Sequence, residues 1–257
     1  MKKILKNILR FLNIIVIKPN DSELIEKLKE TFTHNERSFV YSGIKRLVDC
    51  LYCHASPGVI ETISIELSDI LRAKKTSGNK ILNMGGGTGQ VSSIYKSLGF
   101  DVYNLDIDLP TSDSKNIKFD LNQTIPIPFP NKTFDVVICQ EIIEHVENPW
   151  KMVREAKKLL KDDGILIITT PNIVSLQSRL MFFFRGYFKW FTPDCFDYHI
   201  NPIPYWEINL IANRCGLNRL LTKGSGDYYM CRDNNKQEKL LRDNESLIFF
   251  FKRDDNN

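Results

Sequence analysis

The stretch Ile81-Leu82-Asn83-Met84-Gly85-Gly86-Gly87-Thr88-Gly89 constrains this chain more than any other part of it. An apolar run passes directly into glycines at 85, 87 and 89, and a helical pattern follows at once. Glycine lets the backbone bend sharply and approach a ligand more closely than a Cβ would permit, and such a turn at a strand's carboxyl end is where open α/β sheets bind ligands. The flanking sequence fits that architecture. Short apolar runs predict strands at 80–84, 101–105, 116–119, 134–139 and 165–170, with helices near 89–98 and 148–161. A helix near 204–215 and strands near 217–222 and 246–251 follow. This alternation predicts a largely parallel sheet covered by helices. No strand pattern precedes residue 80, where helical stretches are predicted at 23–32, 35–54 and 59–75. Residues 1–77 therefore read as a helical N-terminal appendage and 78–257 as the α/β domain.

The glycine spacing narrows the ligand. A dinucleotide fingerprint needs its last glycine at position 90, which is Gln90, and the lysine and hydroxyl of a phosphate-binding P-loop are missing. A G-x-G-x-G turn after a strand favours S-adenosylmethionine, which has no phosphate. Asp106 ends the second predicted strand, where a carboxylate can accept hydrogen bonds from both hydroxyls of a ribose. Asp120 ends the third, placed to accept from an adenine amino group while the Leu121 backbone N–H donates to the ring. Each aspartate alone fits a solvated turn equally well. Asn83, Gly85, Gly86, Gly87, Gly89, Asp106, Asp120, Leu121 and Gln140 form the predicted cofactor-binding set.

Several segments in order carry a family resemblance. Residues 81–89, Asp106, Asp120, Pro128-Phe129-Pro130-Asn131-Lys132-Thr133-Phe134-Asp135-Val136-Val137-Ile138, Glu144-His145-Val146 and Gly164-Ile165-Leu166-Ile167-Ile168-Thr169-Thr170-Pro171-Asn172 closely resemble the class I SAM-dependent methyltransferases. The resemblance covers roughly 80–222 and implies a Rossmann-like α/β fold. In it a seven-stranded, mostly parallel sheet has its last strand antiparallel and inserted beside the fifth. It also implies S-adenosylmethionine as the methyl donor. Asn83 departs from the pattern, since the family usually has an acid there.

After the fourth strand comes Gln140-Glu141-Ile142-Ile143-Glu144-His145. If this segment turns helically, Glu141, Glu144 and His145 share a face, because i, i+3 and i+4 are neighbours. Two carboxylates and an imidazole can hold a divalent ion such as Mg, Mn or Zn, or place a base beside a methyl donor. The E-x-x-E-H pattern is similar to the metal site of ubiquinone-biosynthesis O-methyltransferases and of small-RNA 3′-end 2′-O-methyltransferases. In the RNA enzymes a later histidine completes the site, and His199 is the candidate for that place. Metal-free members also carry Glu-His-Val here, where the pair orders the loop. His145, His199 and Glu144 are thus the predicted catalytic residues, and Glu141, Glu144, His145 and His199 the predicted metal ligands.

The remaining sequence bears on partners. A net charge of +4, from 35 basic and 31 acidic residues, is too mild to argue for nucleic acid. Residues 1–18 carry five basic residues and no acid among apolar ones, a basic amphipathic helix that could lie on an anionic membrane surface or cap the protein's own core. Six sparse cysteines do not read as a disulfide framework and point to a reducing, cytoplasmic setting. Cys50-Leu51-Tyr52-Cys53-His54 spells the c-type haem attachment motif, and two cysteines on one helix face is the plainer reading. Residues 173–206 form a long insert dense in aromatics between Arg179 and Phe191, suited to a lid, a membrane-facing surface or packing on the N-terminal helices. The expected activity is O-methylation of a small-molecule, glycan or lipid-linked acceptor. An RNA 2′-O-methyltransferase and a non-catalytic SAM-binding module are the alternatives.

Overall fold

A computed structural model describes residues 57–74, 79–109, 112–123, 125–225 and 244–254. The basic segment 1–18, the Cys50-to-His54 motif and the predicted helices at 23–32 and 35–54 lie outside them. The described elements run α1 (Pro57–Lys74), β1 (Lys80–Met84), α2 (Gln90–Ser97), β2 (Asp101–Asp106), β3 (Asn116–Lys118) and β4 (Phe134–Cys139). A 3-10 turn (Ile143–His145) follows, then α3 (Pro149–Leu159), β5 (Leu160–Pro171), α4 (Leu176–Arg185), α5 (Tyr205–Arg214), β6 (Leu217–Ser225) and β7 (Ser246–Arg253).

The strands form one seven-stranded sheet in the order β3-β2-β1-β4-β5-β7-β6. β7 runs antiparallel to both β5 and β6, and the other pairings are parallel, as the resemblance implies. Chain order reverses direction across the β1/β4 pair. The loops leaving those two strands therefore diverge and open a crevice at their carboxyl ends, the position where open α/β sheets take ligands.

Side-chain alternation explains why the strands read as continuous apolar runs. Leu82, Met84, Val137, Cys139, Leu166, Ile168, Phe249 and Phe251 pack on one face with Met152, Val153 and Ala156 of α3 and Ile208 and Ile211 of α5. Their neighbours Ile81, Val136, Ile138, Ile165, Ile167, Ile248 and Phe250 pack on the other face with Tyr95 of α2 and Val59, Ile63 and Leu67 of α1. A strand covered on both sides needs an apolar residue at every position. The helix predicted at 59–75 and grouped with the N-terminal appendage thus supplies three residues, spaced four apart, to the core of the sheet.

The differences from the predicted elements have local causes. β5 begins at Leu160 rather than 165, since Leu160 pairs with Phe134 while the charged residues 161–163 hide the strand pattern. Arg253, at the end of β7, donates to the Lys157 and Leu160 carbonyls and ties that extension down. The insert holds a helix, α4, that no apolar period announces. Ser175 caps it by accepting from the Ser178 N–H, and Gly186 ends it in a left-handed conformation with φ 76°. Phe250 lies fully inside the second face cluster. Phe250→Ala should cost about 3–5 kcal/mol of stability in chemical denaturation, and a loss under about 1 kcal/mol would contradict two-sided burial of β7.

Candidate active site

The glycine turn after β1 forms one wall of the crevice. Gly85 has φ +77°, and a Cβ on it would lie 2.5 Å from Ile142 Cγ1, in the loop after β4. The two crevice loops therefore touch where only a hydrogen fits. The Gly85 N–H donates to the Leu105 carbonyl at 2.8 Å, and the Gly87 N–H donates to Asp106 Oδ2 at 2.7 Å. Asp106 Oδ1 accepts from the Asp108 N–H at 2.8 Å. Asp106 is thus fixed at the end of β2 as the anchor of the glycine turn, with acceptor capacity left on both oxygens. Asp120 lies beyond the end of β3, where its Oδ1 accepts from the Asn122 N–H at 2.9 Å in a local turn. Leu121 packs against the core beneath it.

Asn83 sits at the base of the turn in a chain of polar side chains. Its Nδ2 donates to Ser92 Oγ at 3.0 Å, and the Ser92 hydroxyl donates to Asn104 Oδ1. Asn104 Nδ2 then donates to Asn116 Oδ1 at 2.6 Å. In this arrangement the Ser92 proton goes to Asn104, and the Asn83 amide supplies the hydrogen bond that Ser92 Oγ accepts. The same amide crowds the turn, since a Cβ on Gly86 would lie 2.7 Å from Asn83 Nδ2. Asn83 Oδ1 is buried with no hydrogen-bond partner.

Gln140 directly follows β4, with its amide held from one side. Its Oε1 accepts from the Tyr95 hydroxyl at 2.9 Å, while its Nε2 is buried with no partner. Burial pushes the Tyr95 phenol far up, so it stays a donor. A buried amide donor without a partner is uncommon, and this one follows the strand that borders the crevice.

Next along the chain, Glu141 adopts a left-handed conformation with φ 46°, uncommon for a residue with a side chain. Thr169 stabilises it from β5, accepting from the Glu141 N–H at 2.9 Å and donating to Glu141 Oε1 at 2.7 Å. The turn that follows is a 3-10 helix, so the predicted sharing of one face by Glu141, Glu144 and His145 does not arise. Glu141 goes to Thr169 instead of joining the cluster.

Glu144, His145 and His199 do come together, each offering a ligand atom within 4.8 Å of the others. Glu144 is fully buried; Thr170 Oγ1 donates to its Oε2 at 3.2 Å, and its Oε1 has no hydrogen-bond partner. Burial pushes its carboxyl well above the usual range, and the charge of Glu141 adds to the effect. His145 Nε2 lies 3.9 Å from that bare oxygen, too far for a hydrogen bond.

The insert supplies the third member. The Ile200 and Asn201 N–H groups both donate to the Glu144 carbonyl at 3.0 Å, and Asn201 Nδ2 donates to the Val146 carbonyl. This seam places the His199 ring edge-on to His145, centroids 4.7 Å apart. His199 Nδ1 meets the Trp190 carbonyl, which can only accept, so Nδ1 is the donor in that contact. The donor set of one carboxylate oxygen and two imidazoles, with a buried bare oxygen among them, fits a divalent transition ion or zinc.

Tyr95, Ser92, Asn104, Thr169, Thr170 and Trp190 are site residues that the sequence reading did not single out. Asn104 was the most visible, a polar residue in the otherwise apolar run Val102-Tyr103-Asn104-Leu105.

Comparison with known proteins agrees with this geometry. A family model described as "Methyltransferase domain" matches residues 60–220. The chain is 31% identical over 164 residues to a ubiquinone biosynthesis O-methyltransferase of Rickettsia bellii, covering 61% of this chain and 63% of that relative. It is 27% identical over 242 residues to the protein of that name from Rickettsia canadensis, covering 91% and 95%. Among solved structures, a candidate methyltransferase from Bacillus halodurans C-125 superposes with a TM-score of 0.51 at 15% identity, over 74% of this chain and 99% of that one, a likeness of fold.

Two substitutions test the donor pocket. Gly85→Ala adds a strained φ and a clash with Ile142, and Asp106→Ala removes the anchor of the turn. Each should weaken S-adenosylhomocysteine binding at least about tenfold in calorimetry, Asp106→Ala through the loss of a charge-assisted hydrogen bond and Gly85→Ala through the displaced turn. Unchanged affinity in both would place the donor elsewhere.

Proposed function

Because the chain belongs to the methyltransferase-domain family, within the class I SAM-dependent methyltransferases, we propose that it transfers a methyl group from S-adenosylmethionine to a hydroxyl of a small-molecule, glycan or lipid-linked acceptor. The observation that carries the oxygen acceptor is the joining of Glu144, His145 and His199 beside the crevice. The name of the two Rickettsia relatives, ubiquinone biosynthesis O-methyltransferase, supports the same accepting atom.

The donor, when bound, supplies a methyl already activated on a sulfonium. The chain has two tasks left: to align the acceptor and to take its proton. In the proposed pocket Asp106 holds the ribose hydroxyls, the glycine turn lies along the donor's amino-acid chain, and the bare Gln140 Nε2 donates to the polar end of that chain. Asp120 and the Leu121 N–H serve the adenine edge.

Transfer forms an oxygen–carbon bond and breaks the carbon–sulfur bond, while the acceptor's proton must go to a base. His199 in its neutral form is built for that role, since the Trp190 carbonyl fixes its proton on Nδ1 and leaves Nε2 as the acceptor of the proton. The buried Glu144 carboxyl lies beneath the histidine pair, where its charged form would stabilise the imidazolium that results. Glu144, His145 and His199 would also hold a divalent ion, which when bound would lower the pKa of an acceptor hydroxyl.

The test is labelled-methyl transfer to fractionated metabolites, glycolipids and RNA. His199→Ala and Glu144→Gln should each lower turnover about 100-fold, as for loss of a general base, with donor affinity held within about twofold. Loss on chelation, restored by Mg²⁺, Mn²⁺ or Zn²⁺, would assign the ion; indifference to chelator would leave His199 as the base alone. Full turnover in both variants would overturn this reading of the cluster.

A further inference from the structure

Helix α4 and the loop after it turn their aromatic residues outward. Phe183 is 79% exposed and Phe184 76%, with Phe182, Tyr187 and Trp190 also exposed. The exposure is not that of a loose segment. Phe182 stacks on Phe188 with centroids 4.5 Å apart, Phe183 meets Phe184 edge-on at 5.0 Å, and Tyr187 lies 5.9 Å from Phe196. Ser178 is buried and accepts from the Lys189 N–H at 3.0 Å, fastening the loop back onto the helix. The rings therefore form one fixed surface with its apolar side toward water, where burial of a comparable patch would be favourable.

Along α4 and on to Trp190 the charges have one sign, and the acids Asp194 and Asp197 come only beyond it, on either side of Phe196. From Leu176 to Trp190 the chain contains Arg179, Arg185 and Lys189 and no acid. Lys189 is turned inward to Glu245, leaving Arg179 and Arg185 as the exposed cations beside the rings. Exposed phenyl rings flanked by guanidinium groups, with no acid along α4, match the boundary of an anionic bilayer. There rings enter the acyl edge and cations stay at the headgroups.

We propose that α4 and residues 187–190 form a docking face for an anionic lipid bilayer. The face is joined to the candidate active site through one residue: exposed Trp190 supplies the carbonyl that orients His199. Docking would set the acceptor side of the crevice close to the membrane and favour acceptors with a lipid tail. That consequence rests on the methyl-transfer reading, whereas the docking itself does not.

Flotation of the full chain with vesicles of phosphatidylglycerol and phosphatidylcholine, against phosphatidylcholine alone, tests it. The chain should float with the anionic vesicles and be released by about 0.5 M salt. The double variant Phe183→Ser, Phe184→Ser changes only exposed side chains and should bind the anionic vesicles at least about tenfold more weakly. Its unfolding midpoint and S-adenosylhomocysteine affinity should stay at the parent's values, which separates failure of docking from failure of the donor pocket. The proposal is overturned if the parent chain stays with the unbound protein. It is also overturned if the double variant floats as well as the parent, which would move lipid contact to another segment such as 1–18. Self-association abolished by the same substitutions, without vesicle binding, would reassign the face to a second copy of the chain and equally overturn it.

Discussion

The contact between the turn after β1 and the loop after β4 is the constraint on which the site depends. Gly85 faces Ile142 with room for a hydrogen and nothing larger. That approach is available only because the two strands are neighbours at the point where strand order reverses, so their loops diverge above a shared floor. The turn is then fixed at its other end by Asp106, which accepts the Gly87 N–H. Sheet topology, glycine and aspartate thus define one concavity, and the Asn83 amide, bonded to Ser92, supports it from below.

The second wall of the crevice carries stored cost. Glu141 is held in a left-handed conformation, Glu144 is buried with an oxygen unpartnered, and Gln140 has an unpartnered amide nitrogen. Each is unfavourable by about 1–3 kcal/mol in isolation. Three such features fall on five consecutive residues, in the loop where the proposed donor and cation would bind. The two-sided packing of the sheet, with aromatic residues of β7 alternating between both faces, supplies stability against that cost.

The fold was largely legible because a buried parallel sheet writes itself as short apolar runs. β1 and β4 begin and end where the runs do, while β5 and β7 extend past them through charged residues whose backbone still pairs. The glycine turn was legible through its spacing, and Asp106 through its place at a strand end. The histidine cluster was legible only in its members. Nothing local says that the segment would turn as a 3-10 helix and send Glu141 to Thr169, or that residues 199–201 would bond back onto the Glu144 carbonyl. Those outcomes come from contacts between residues far apart in the chain. The same holds for Tyr95, whose role follows from the position of Gln140 some forty residues later.

A crystal structure with S-adenosylhomocysteine tests the central claim most directly. The account predicts the ribose hydroxyls on the Asp106 carboxylate, the chain of the amino acid along the Gly85–Gly89 turn, and the sulfur pointing toward the His145–His199 side of the crevice. Density for the ligand anywhere else, or a crevice that stays closed over Ile142 while the protein is folded and saturated with ligand, would contradict it.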